Sequence, residues 1–333
     1  MKAFQVVGIG NAMVDVLARA PDAFLADAGI EKGIMQLIDM DRAVELYAAI
    51  GPAREVSGGS AANTIAGIAH LGGRTAYVGK VKDDQLGAIF AHDLRAQGAV
   101  FETTFAPKDA ADETGRCLIV VTPDGERSMN TYLGVTEFLT ADDIDETQMA
   151  QAEWIYLEGY RFDGPESHAA FAKAITACRT AGGRVSLTLS DPFCVNRHRD
   201  AFRAMIKSDV DLLFCNRAEM LSMYETDDFD AALAQAATEV AIVACTDAEN
   251  GAHILSGTDH WHVAAAPVQI VDATGAGDLF AGAFLWALTH NYALSDCGRA
   301  GNIAAAEVIS HIGARPESDL SALIAQAGLA PTK

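Results

Sequence analysis

The sequence predicts an α/β protein: a three-layer sandwich around a mainly parallel sheet, with a small β-rich lid inserted into it. Three observations lead there. From Trp154 to Cys245 short apolar runs alternate with Ala-rich helical stretches, the rhythm of a parallel sheet covered on both faces. Val271 to Phe284 places an apolar run, a small-residue turn, a carboxylate and an apolar helix in succession. Two stretches, about 11–41 and 97–136, break the rhythm and suit inserted strands and loops over one 333-residue domain.

In chain order, strands are expected at Phe4–Ile9, Cys117–Val121, Trp154–Leu157, Val185–Leu189, Leu212–Cys215, Val240–Ala244, His253–Leu255 and Val268–Val271, all short and apolar or β-branched. Helices are expected near Ala61–Leu71, Leu86–Gln97, Glu166–Ala181, Asp200–Lys207, Phe229–Glu239, Asp278–His290 and Arg299–Ser310. Ligands of such sheets gather beyond the carboxyl ends of strands, where Asn11, Asn216 and Asp272 fall.

Half the residues are apolar, enough for a large core. The net charge of −21 opposes binding to a polyanion, so nucleic acid is not expected as a partner. The six cysteines are far apart with no C-x-x-C pair, and they read as buried thiols of a reducing compartment. Apolar runs are strand-sized and no signal peptide is visible, so a cytoplasmic, membrane-free protein is expected, monomer or homodimer.

The segment Asp272-Ala273-Thr274-Gly275-Ala276-Gly277-Asp278 carries the chemistry. The bare backbone of Gly275, Ala276 and Gly277 can approach a phosphate, and a helix starting there adds the positive end of its dipole. Asp278 suits the dipole but repels a bound phosphate. A carboxylate in that position is best used to take a proton from an attacking hydroxyl; the plainer alternative is an acid that only stabilises the helix start. Asp15, between Val14 and Val16, suits a pair of vicinal hydroxyls, because an ionised carboxylate accepts two hydrogen bonds. Gly8-x-Gly10 opens like a dinucleotide fingerprint, but Met13 stands where the third glycine belongs, which argues against a nicotinamide enzyme.

With these segments the chain resembles the ribokinase-like carbohydrate and nucleoside kinases, the PfkB family. Asp-x-Thr-Gly-Ala-Gly-Asp is similar to that family's C-terminal signature, Ser57-Gly58-Gly59-Ser60-Ala61-Ala62-Asn63 to its acceptor-holding turn, and Asn216-x-x-Glu219 to its magnesium and phosphate motif. The N-terminal run from Gly8 to Asp39 and Asp124-Gly125-Glu126-Arg127 look like the adenosine kinase branch.

The resemblance implies ATP-dependent phosphorylation of a primary hydroxyl, adenosine at its 5′-hydroxyl foremost. Asp278 is then the base, and the N–H groups of Gly275, Ala276 and Gly277 stabilise the transferring oxygens. Asn11, Asp15, Gly59, Ser60 and Asn63 hold the ribose, Met13 with Met35 and Leu37 contact the purine or simply pack, and Arg127 reaches the phosphates from the lid. Asn216, Glu219, Thr246, Gly251, Thr274 and Asn302 serve ATP, with Mg2+ bound through the water shell of Glu219 and a K+ site possible at Asp272. The turn Thr246-Asp247-Ala248-Glu249-Asn250-Gly251 departs from the family's Gly-x-x-Gly form by one lost glycine and two added acids. A sugar kinase of the ribose, fructose or 2-keto-3-deoxygluconate type is the alternative, and a catalytically weak nucleoside or sugar sensor a more distant one. His260 and His262 share one face of an expected strand, but with no third ligand spaced to complete a metal site they read as surface positions.

Overall fold

The computed structural model describes residues 2–332. Its strands in chain order are β1 (Phe4–Ile9), β2 (Met13–Arg19), β3 (Met35–Leu37), β4 (Ala53–Gly58), β5 (Thr75–Val78), β6 (Val100–Phe101), β7 (Gly115–Val121), β8 (Arg127–Tyr132), β9 (Ala152–Glu158), β10 (Arg184–Thr188), β11 (Leu212–Asn216), β12 (Ile242–Thr246), β13 (Ala252–Ser256) and β14 (Asp259–Val263). The helices are α1 (Asp22–Asp27), α2 (Met40–Ala49), α3 (Ser60–His70), α4 (Gln85–Ala96), α5 (Glu146–Ala150), α6 (Ser167–Thr180), α7 (Pro192–Asp209), α8 (Arg217–Tyr224), α9 (Phe229–Glu239), α10 (Ala276–Thr289), α11 (Leu294–Val308) and α12 (Leu320–Gln326).

The main sheet runs β14-β13-β12-β11-β10-β9-β1-β5-β6, parallel except for the β12-β13-β14 meander at one edge. Successive side chains leave a strand on opposite faces, so β11 sends Leu212 and Phe214 into one core and Leu213 and Cys215 into the other. The first core packs α3, α10 and α11; the second packs α6, α7 and α9. The glycine pair near the N-terminus serves this packing. A Cβ on Gly10 would lie 2.7 Å from that of Ala61 on α3 and 2.4 Å from a Glu158 oxygen, so the pair permits close helix approach rather than cofactor binding.

A second sheet, β3-β8-β7-β2-β4, takes its strands from residues 13–58 and 115–132. It therefore extends past residue 41 to include β4, while β6, inside the expected 97–136 stretch, belongs to the main sheet. β2 is buried on both faces and so shows no apolar–polar alternation, and the buried acid Asp15 interrupts its apolar run, which is why the strand is not evident from sequence.

The expected strand at Val268–Val271 does not form. Ile270 is 66 % exposed, and Val271 and Asp272 both direct their N–H to the carbonyl of Ile309, so this segment is a loop held by α11's end rather than by a neighbouring strand. The helix expected at Asp200–Lys207 starts earlier, at Pro192, and kinks at His198. Among the described residues no helix is long and apolar enough to cross a membrane.

Candidate active site

The carboxyl ends of β1, β9, β10, β11 and β12 open into a cavity of about 710 Å³, roofed by the second sheet. Its centre is the start of α10. Gly275, the N-cap, has φ +79°, a conformation open to a residue without Cβ, and a Cβ there would sit 2.7 Å from that of Ala314. Gly277 faces open space. The N–H groups of Gly277 and Asp278 find no protein acceptor among the described residues, leaving two donors at the positive end of the helix dipole.

Asp278 lies one turn into that helix. Ser60 Oγ donates to one of its oxygens at 2.6 Å and Asn63 Nδ2 to the other at 2.9 Å, both from the first turn of α3. Burial raises its pKa above the ordinary carboxylate range, against the pull of those two donors and of Arg315 and Arg127. It is thus oriented, and more basic than a surface aspartate.

Two further carboxylates of the cavity, Asp15 and Glu219, are also shifted upward. Asp15, on β2, has no hydrogen-bond donor from the protein; burial first, with Asp278 and Asp272 adding to it and Arg315 opposing, raises it to about 7. Glu219 forms a reciprocal capping box with Asn216, accepting from its N–H at 3.0 Å and its Nδ2 at 2.7 Å. Burial pushes Glu219 up to about 8. A divalent cation near this carboxylate would favour its ionised form. Among the described residues no three acid, histidine or cysteine donors converge on one point, so an ion here would be held largely by phosphates and water, as Mg2+ usually is.

Arg127, on β8, donates to Thr274 Oγ1 at 3.1 Å and so connects the second sheet to the α10 turn. Gly59 has φ +95°, and a Cβ there would stand 2.1 Å from the Asn11 carbonyl oxygen; the close pass draws Asn11 and the start of α3 together. Met13, Met35, Leu37, Cys117, Ile119, Met129 and Leu133 give the second-sheet side of the cavity an apolar wall.

Three expected positions sit elsewhere or do something else. Asn302 is outside the cavity lining, and its Nδ2 donates to the carbonyls of Val263 and Ala264, bracing α11 against the chain after β14. Gly251 is also outside it and closes the β12–β13 hairpin, where its carbonyl accepts from Asp247 N–H at 2.7 Å. Asp272 does not end a strand; fully buried, it accepts from Thr274 N–H and Oγ1 with one oxygen and from Gly313 N–H with the other. Thr246 and Thr274 do line the cavity. The acid added beside Thr246 is neutralised, since Arg217 pairs with Asp247 at 3.1 Å.

Three residues that sequence reading passed over shape the site. Glu158 accepts from Asn11 N–H at 3.2 Å and Ala61 N–H at 2.8 Å, tying the end of β1 to the start of α3; burial raises it to about 7. Arg161, fully buried, donates to Asn11 Oδ1 at 3.0 Å, to the carbonyls of Thr136 and Leu139, and to Ser167. Arg315 donates to the carbonyls of Ala62 and Ser57, and its positive charge acts on Asp93, Asp15 and Asp278. Only Glu158 had a sequence signal, its place at the carboxyl end of an apolar strand.

Fold and site together define an ATP-dependent kinase. The chain belongs to the pfkB family of carbohydrate kinases, whose family model matches residues 34–320. It is 48 % identical to a probable sugar kinase of Rhizobium etli over 98 % of this chain and 99 % of that one, with a TM-score of 0.94. An adenosine kinase of Sinorhizobium meliloti is 47 % identical over the same shares, with a TM-score of 0.93. The fructokinase of Escherichia coli is 28 % identical over 70 % of this chain and 76 % of its own length.

Proposed function

We propose that the protein transfers the γ-phosphoryl group of ATP to the primary 5′-hydroxyl of a nucleoside, with adenosine as the acceptor. The observation that carries this reading is Asp15, a buried carboxylate with no donor from the protein, beside the apolar wall of the second sheet. A ribose offers two vicinal hydroxyls to such a carboxylate, and a flat base covers apolar surface that a free sugar would leave wet. The Sinorhizobium meliloti relative, named an adenosine kinase, supports the same choice.

Phosphoryl transfer depends on positioning and charge stabilisation more than on covalent chemistry. Asp278, oriented by Ser60 and Asn63, accepts the proton of the attacking hydroxyl. The free N–H groups at the start of α10 stabilise charge on the transferring oxygens, and Arg127 adds positive charge from the second sheet. Asn216 and Glu219 would hold Mg2+ through its water shell; when bound, that ion neutralises phosphate charge. A monovalent cation fits less well at Asp272, whose oxygens already accept from Thr274 and Gly313, and no step is assigned to it. Movement of the second sheet as a lid would exclude water, the competing nucleophile.

The test is a panel of acceptors. With Mg-ATP, ADP release should be fastest with adenosine, and slower by at least about tenfold with ribose or fructose, which lack the base. The E. coli relative's name keeps fructose in the panel. A sugar outpacing adenosine would reject the nucleoside reading, and no release with any acceptor would favour a binding protein over an enzyme acting on these substrates.

A further inference from the structure

The outer edge of the main sheet carries a cluster of imidazoles that phosphoryl transfer does not use. The β13–β14 hairpin sets His253 opposite His262 and Leu255 opposite His260. Side chains two apart on a strand share a face, so all three rings leave the same side of the hairpin. Sequence spacing offered only His260 and His262; antiparallel pairing adds the third. None of the three lines the catalytic cavity.

The geometry is that of a chelating pair with a neighbour in reserve. His253 Nδ1 and His260 Nε2 stand 3.0 Å apart. Two imidazole nitrogens bound tetrahedrally to one zinc ion at about 2.0–2.1 Å are separated by about 3.3 Å, so a small opening of this pair admits the metal. His262 lies 4.8 Å from His253 between ring centroids and is held by one hydrogen bond, to the carbonyl of Asn250 at 2.7 Å. As the rings stand, no three donors converge among the described residues. Exchange of that single bond at an exposed position would bring in the third ring.

The surroundings favour a cation. His253 and His262 share a surface cavity with Asp227, Asp228, Asp230 and Asp247, only the last of which is paired, with Arg217. His253 is half-buried among Phe229 and the other two rings. Phe229 packs edge-on against it, centroids 5.2 Å apart, and fixes its plane. Imidazole donors suit zinc, copper and nickel, whereas Mg2+ prefers oxygen.

We propose that His253, His260 and His262 bind a first-row divalent cation of the zinc type, at a site separate from the phosphoryl-transfer cavity. Three imidazoles leave the fourth tetrahedral position to water or to a nearby carboxylate. The test titrates Zn2+ alone into the metal-stripped full chain by calorimetry, alongside H260A and the double variant H260A/H262A. His260 and His262 are both exposed strand positions, so the fold tolerates these changes. The expected result is one Zn2+ per chain, bound at least about tenfold more weakly by H260A and more weakly still by the double variant. Co2+ should give the intense visible absorption of a tetrahedral nitrogen-rich site in the parent and lose it in the double variant. Equal Zn2+ affinity in parent and double variant, or Co2+ spectra that do not differ between them, would overturn the proposal.

Discussion

Replacing Asp278 by asparagine separates its chemistry from its structural role. The amide is nearly isosteric: its oxygen can still accept from Asn63 Nδ2, now 2.9 Å away, and its NH2 can donate to Ser60 Oγ, which reverses its own role. The net change in hydrogen bonding is then within about 1 kcal/mol, and the fold survives. What disappears is the proton acceptor. General base catalysis contributes about 10²- to 10⁴-fold, or about 2.7–5.4 kcal/mol of the barrier. Loss of a negative charge next to the phosphates does not weaken nucleotide binding, and can strengthen it. Steady-state ADP release at saturating adenosine and Mg-ATP, with calorimetric binding of the nucleotide, measures both quantities. If turnover stays within about threefold of the parent, or if nucleotide affinity falls by the same factor as turnover, Asp278 is not the base.

Two further outcomes follow from the buried carboxylates. Asp15→Ala removes one or two hydrogen bonds to acceptor hydroxyls, each worth about 1.5–3 kcal/mol when charged, so acceptor KM should rise at least about tenfold with less change in kcat. Since Asp15 titrates near 7, acceptor affinity in the parent should also weaken as pH falls below that value, and this dependence should be absent from the variant; an unchanged KM in Asp15→Ala moves the acceptor elsewhere. For stability, Asp15, Glu158 and Glu219 all have folded pKa values above the ordinary carboxylate range, near 7, 7 and 8. The folded state therefore binds their protons more tightly than the unfolded chain, and the stability they contribute, complete in acid, is lost as pH rises through those values. The Tm of the ligand-free protein should fall between about pH 4.5 and 8, from the unfolded to the folded pKa values, and Glu219→Gln should flatten that fall; a parent Tm that rises over the interval sinks the reading.

Much of the site was legible because it is local. Gly275, Ala276, Gly277 and Asp278 form one turn, and the reciprocal capping of Asn216 and Glu219 spans three residues, so their relation is written in the spacing. Asn302 and Gly251 show what analogy leaves open. Asn302 is expected at the adenine by its place in the last helices and Gly251 at the phosphates by its turn, yet Asn302 directs its amide to Val263 and Ala264, and Gly251 closes a hairpin. The Val268–Val271 run shows the limit of composition, for apolar residues form a strand only where a neighbour accepts their hydrogen bonds.

The sequence by itself determined the strand–helix alternation, the small-residue turn at Gly275 and the carboxylate at the start of α10, because helix starts, glycine turns and apolar periodicity act over a few residues. Only the tertiary structure decided how Glu158 joins Asn11 to Ala61, how Arg161 grips Asn11 from 150 positions away, and how Arg315 reaches Ser57 and Ala62. It also brought His253 to His260. These are pairings of charged or polar groups across long stretches of chain, and their strength comes from burial, which no single segment possesses until the sheets and helices have closed around it.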